Sequence, residues 1–138
     1  TDGFGGACVE MGWSGRHEKS AYLNIVSAIL DLGANIRRGA SGALGLAYVA
    51  DGRSDAYLEL HMPPWDCMAG LLLVEEAGGT VCPFLENGGM HNGGPVLASV
   101  PAIAGQLSAA SGIDLTPGDG GAAVERPMAQ AVLAKLGK

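Results

Sequence analysis

The sequence has little of what would mark a secreted, membrane-bound or nucleic-acid-coating protein. Only 3 of its 138 residues are cysteine (Cys8, Cys67, Cys82), and no pair has a C-x-x-C or zinc-ligand spacing. A disulfide framework and a structural zinc are therefore not expected. The thiols read as small apolar core residues in a reducing compartment, the cytoplasm. No apolar run approaches the roughly 20 residues of a membrane span, and no basic stretch leading into an apolar one opens the chain. Neither a membrane partner nor a secretory signal is expected. Cations are scarce: 8 Lys and Arg stand against 14 Asp and Glu, a net charge of −6. That balance argues against phosphate-backbone binding as the main task, so no nucleic-acid polymer is expected as partner. It suits a small polar ligand or a divalent cation. An initiator Met is also missing, and TDGFGGACVE reads as the middle of a protein.

What is present is a core. Hydrophobic residues make up 48% of the chain, too many for a disordered one, and the length is that of one domain. The 23 glycines suit many tight turns and close backbone approaches. The organising stretch is Trp65 to Gly79, WDCMAGLLLVEEAGG. Asp66 stands where a helix N-cap belongs, ahead of Met68, Leu71, Leu72 and Glu75. Gly78 and Gly79 fit a left-handed stop, and Pro63-Pro64 force an abrupt entry. A carboxylate at that position can cap the helix or hold a metal ion at the rim of a sheet, and capping is the simpler reading.

Along the chain, Ala7-Cys8-Val9 reads as a short buried strand ending at Glu10. The apolar positions Tyr22, Ile25, Val26, Ile29 and Leu30 follow the i, i+3, i+4, i+7, i+8 pattern and predict a helix over 19–32. A strand over 34–38, a helix over 43–50 and a strand over 56–60 precede the Asp66 helix. Strands over 80–82 and 96–98 flank the turn Glu86 to Pro95, and a helix with Pro near its start runs over 101–111. The glycine-rich stretch 112–123 predicts a linker, with a final helix over 127–136. The chain thus divides into an α/β domain over 1–111 and a linker with a terminal helix over 112–138. Strands alternating with helices predict an α/β layer fold with a mixed sheet.

Four groups of residues could carry chemistry. Glu59 and Asp66, at a strand end and a helix start, bring two carboxylates near one point; such oxygen donors suit magnesium. The bland alternative is a solvated Glu beside a capping Asp. Arg37-Arg38 followed by Gly39-Ala40-Ser41-Gly42 leads into a helix, a weak phosphate-cradle signal, and a plain strand-to-helix turn with surface arginines explains it as well. Ser14, Arg16 and His17 share a polar loop with no nucleophile elbow; Ser14 either meets a substrate hydroxyl or turns the loop. Glu75-Glu76 reads as a solvated helix edge or a C-terminal interface, not a site. His61 and His91 have no metal-like spacing.

Together these stretches resemble the inositol monophosphatase family. WDCMAGLLLVEEAGG is similar to its second signature, W-D-x-A-[AG]-G…E-A-G-G. RRGASGAL resembles its R-x-x-G-S-A-A-L segment, and DGRSDAYLEL ahead of PPWD resembles its G-x-x-D-A-Y-x-E stretch. The resemblance implies a layered α-β-α fold with a mixed, roughly five-stranded sheet, as in the C-terminal half of such enzymes. It implies a magnesium-dependent phosphomonoesterase acting on a small phosphorylated polyol, sugar or related substrate. Carried over, Asp66 would ligate magnesium and Glu59 would hold a substrate hydroxyl. Ser41, Gly42 and Ser14 would contact substrate, with Arg38 in support. Ala40 stands where the family usually has Gly. The family's first signature, D-P-[IL]-D-G-T, and an earlier Glu-Glu element are absent, so no catalytic residue is expected in this half. The chain alone is expected to be inactive, and a homodimer or a missing N-terminal half is expected as partner. The alternative is a non-catalytic binding or dimerisation domain that keeps the fold.

Overall fold

The computed structural model describes residues 1–115. Ten elements follow in order: β1 (Cys8–Met11), α1 (Lys19–Asp31), β2 (Asn35–Arg37), α2 (Gly42–Ala50), β3 (Ala56–Met62), α3 (Pro64–Glu76), β4 (Thr80–Val81), α4 (Gly89–Asn92), β5 (Gly94–Ser99) and α5 (Pro101–Ser111). The strands form one five-stranded sheet in the order β2-β1-β3-β5-β4. β1 runs parallel to both β2 and β3, while β5 is antiparallel to β3 and β4. The sheet is mixed, as the alternation of strands and helices predicts.

Chain direction across the sheet sets the layers. From β1 the chain crosses through α1 to β2 on one side, then returns through α2 to β3 on the other. Both crossovers join parallel strands, and the right-handed rule puts α1 and α2 on opposite faces. Accordingly α1 packs with α5, and α2 packs with α3. Ile29, Ile103 and Leu107 are fully buried in the α1/α5 layer; burying each such side chain contributes about 1.5–3 kcal/mol.

The register fixes what each face presents. Glu10 lies beside Arg37 of β2 and Tyr57 of β3. With a period of two, Glu10, Arg37, Tyr57 and Glu59 share one face, and Val9, Met11 and Leu58 share the other.

Several boundaries differ from the sequence-based ones. α3 begins at Pro64, with Pro63 extended ahead of it (φ −73°, ψ 153°). Asp66 is therefore the third helical residue and not the N-cap, and its side chain makes no capping hydrogen bond. The cause is Pro64: a proline at the first helical position lacks an N–H that would be unpartnered anyway, and its φ is already helical. Gly78 has a left-handed φ of +86° just past the helix, as expected of its stop. The 86–95 turn contains the short helix α4, and β5 begins at Gly94. Ile113, past the expected domain boundary, is buried. The rest of the expected linker and terminal helix lies outside the described residues.

A candidate active-site pocket at the strand ends

The C-terminal ends of β1, β2 and β3 meet where the chain changes direction across the sheet. In open α/β sheets such a reversal leaves a crevice outside the strand ends. A pocket of about 230 Å³ opens there, walled by Glu10–Trp13, Arg38, Ala40–Gly42, Tyr57, Glu59, Met62, Pro63 and Asp66. Of the residues singled out in the sequence, Arg38, Ser41, Gly42, Glu59 and Asp66 line it together. Ser14 is not in the wall; its hydroxyl accepts the Arg16 N–H at 3.3 Å and turns the loop. Its neighbour Trp13 is in the wall and meets Tyr22 of α1 edge-on at 5.3 Å.

Each wall has a local cause. Ser41 is the N-cap of α2, its Oγ accepting the Leu44 N–H at 3.3 Å, so the pocket sits at a helix start. Ala40 just before it has φ +60°, the only non-glycine residue with positive φ among those described. Asp66 lies in the first turn of α3, its backbone N–H donating to the Pro63 carbonyl at 3.1 Å, on the helix end where the dipole favours an anion. Glu59 arrives from β3 just ahead of a register shift between Glu59 and Met62.

Two functional candidates escaped the sequence reading. Tyr57 is 2% exposed, and its hydroxyl donates to Glu59 Oε2 at 2.6 Å. Burial, and then this hydrogen bond, pushes the phenol well above its ordinary range. Glu10, also 2% exposed, is buried rather than marking a strand end. A charged residue inside an apolar strand, and a tyrosine two positions before a carboxylate, were the available signals.

Glu59 is held above the ordinary carboxylate range. Burial is the main cause and the negative Asp66 adds to it, while the Tyr57 hydrogen bond and Arg38 oppose it. Mutual repulsion between Glu59 and Asp66 marks a place where a cation is welcome. Even so, no group of three or more His, Cys, Asp or Glu side chains able to hold a metal occurs among the described residues. The two carboxylates are fitting oxygen donors but an incomplete set, since magnesium wants near-octahedral coordination. Elsewhere, burial pushes the Cys67 thiol up to about 12, so it is no nucleophile at neutral pH. All three cysteines are free. No helix among the described residues is long and apolar enough to cross a membrane.

Residues 7–114 match the model of the inositol monophosphatase family. Nus factor SuhB of Xylella fastidiosa is 49% identical over 81 residues, which are 57% of this chain and 30% of that protein. The extragenic suppressor protein suhB of Bartonella henselae superposes with a TM-score of 0.70 at 27% identity, over 80% of this chain and 43% of that one. Inositol monophosphatase from Anabaena superposes at 0.63 with 28% identity, over 83% and 48% respectively. The chain thus spans about a third of the curated relative and under half of the solved ones. One expectation is overturned here. Net charge predicts no nucleic-acid partner, yet a relative 49% identical over the matched stretch is by name a Nus factor. Net charge is a sum over whatever residues are counted, here a fraction of the relative's length, and says little about a local patch.

Proposed function

Because the chain belongs to the inositol monophosphatase family, we propose that it is the substrate-binding wall of a magnesium-dependent phosphomonoesterase acting on a small phosphorylated polyol or sugar. One observation carries the reading: Arg38, Ser41, Gly42, Glu59 and Asp66 converge on one pocket from separate elements. Ser41 and Gly42, at the start of α2, are suited to the phosphate side, with Arg38 nearby. Glu59, oriented by Tyr57, is suited to accept a hydrogen bond from a substrate hydroxyl. Asp66 supplies one oxygen ligand to a cation whose other ligands come from outside the described residues. In such enzymes the cation polarises phosphoryl oxygens and activates water. A cytoplasmic location and a homodimer belong to the same reading, as does Ser14 as a more distant substrate contact.

The described residues offer too few ligands, so the magnesium affinity of the chain alone is expected to be about millimolar or weaker, with no turnover. Calorimetry of the isolated chain with magnesium, beside phosphate release by the full-length protein over a panel of polyol and sugar phosphates, tests both halves of the proposal. Micromolar binding or turnover by the isolated chain contradicts the division of labour, and an inactive full-length protein contradicts the phosphatase reading. The Nus factor name of the Xylella relative favours a second reading, a binding module that keeps the fold without the chemistry.

A further inference from the structure

The carboxylate of Glu10 is buried in the sheet yet only half partnered. Its Oε1 accepts the Gly39 N–H at 3.1 Å. Its Oε2 lies 3.7 Å from Arg37 Nε, beyond hydrogen-bond range, and has no hydrogen-bond partner. A buried charge so placed is destabilising unless something holds it there. The space around it is specific. A Cβ on Gly39 would collide with Glu10 Oε1, and one on Gly45 would stand 3.2 Å from Glu10 Cδ and 2.5 Å from the Tyr57 ring. Glu10, Gly39 and Gly45 therefore form a matched set. Arg37 is fixed on its other side, its guanidinium 4.9 Å from the centre of the Tyr48 ring.

What the carboxylate grips is the turn into α2. Gly39 is followed by Ala40 in a left-handed conformation that disfavours any residue with a side chain, and then by Ser41, the α2 cap. Arg38, Ala40 and Ser41 all face the pocket. We propose that Glu10 is a positioning residue: its buried carboxylate latches the 38–41 turn onto β1 and so fixes where Arg38 and Ser41 meet the phosphate end of a substrate. What the turn contacts rests on the phosphatase reading; the latch itself does not.

The test uses the full-length protein with myo-inositol monophosphate as probe substrate and backbone amide exchange at Gly39–Ser41 as a second readout. Glu10→Ala is expected to speed exchange at Gly39 and to raise KM roughly tenfold, the scale of one hydrogen bond to a charged group, with kcat within about twofold. Glu10→Gln keeps an acceptor for the Gly39 N–H and is expected to recover most of both. Gly39→Ala, which pushes the carboxylate away from the turn, is expected to reproduce the KM rise, and the double variant to be no worse than either single one. This variant decides the matter if Glu10→Ala does not fold. A buried charge that merely serves the fold would lower the melting temperature and leave KM in the folded protein unchanged. Wild-type exchange at Gly39 together with wild-type KM in a folded variant overturns the latch. If the wild-type protein turns over no phosphate ester, the phosphatase reading falls, while exchange at Gly39 still decides the latch.

Discussion

The two faces of the sheet solve different problems. Against α1 and α5 the sheet buries Val9, Ile29, Ile103 and Leu107 with no exposure at all, and packing is the whole account of that layer. Against α2 and α3 the same strands carry Glu10, Tyr57 and Glu59, and α2 approaches with glycines at 42 and 45, where a Cβ would meet Tyr57 or its neighbours. One face maximises apolar burial. The other gives some of it up to hold charged and hydroxyl groups in fixed positions around a pocket. Stability and chemistry are thus separated by a sheet one residue thick, and alternate residues of one strand belong to different tasks.

The separation can be broken from the pocket side first, where the largest effect is expected. Asp66→Asn in the full-length protein should lower turnover roughly 100-fold or more, since even groups that only support metal ligands are worth about 10–100-fold. Its melting temperature should stay close to wild type, because Asp66 makes no capping hydrogen bond. Near-normal turnover at saturating magnesium removes Asp66 from the site. The opposite break is Leu107→Ala, on the apolar face. Truncating this fully buried side chain should destabilise by about 2–5 kcal/mol, read by denaturant unfolding, with KM of the folded protein unchanged. A shift in KM would show that the two faces are coupled.

The smallest effect sharpens the comparison through pH. Burial raises Glu59 above its ordinary value of 4.5, so the folded protein holds the proton more tightly than the unfolded chain. The stability from this group is fully present below about pH 4.5 and is lost as pH rises through the folded value. Glu59→Gln removes that loss. Melting curves from pH 4 to 7 should show the variant gaining on wild type as pH rises, and parallel curves would mean that Glu59 titrates as an exposed carboxylate. The same variant should change the ratio of rates on two esters that differ in the neighbouring hydroxyl.

Local pattern was enough to read most of the scaffold. The α1 stripe of Ile25 and Ile29, the Pro101 start of α5 and the left-handed Gly78 depend on neighbours within a turn or two, and each is found where the pattern puts it. The family resemblance named the pocket residues Ser41, Gly42, Glu59 and Asp66 because they fall within short motifs. The N-cap expected at Asp66 lies three residues earlier, at Pro63, because a proline at the first helical position competes with an aspartate for the start of a helix. Glu10 was missed for a different reason. Its partner Gly39 lies 29 residues away, and only the parallel pairing of β1 with β2 brings them together. No periodicity within β1 distinguishes a buried latch from a strand end.

The chain has two tryptophans, and neither lies in the core. Trp13 forms part of the pocket wall, and Trp65, 83% exposed, immediately precedes Asp66. The indole signal of this protein is therefore an optical gauge of the pocket mouth and not of the apolar interior. Trp65 already emits from water in the native state, so its contribution should change little on unfolding. Trp13, braced against Tyr22, is the one whose emission reports events at the strand ends. A ligand or cation settling there would be visible by fluorescence without any label, and loss of α1, which carries Tyr22, would register in the same Trp13 signal.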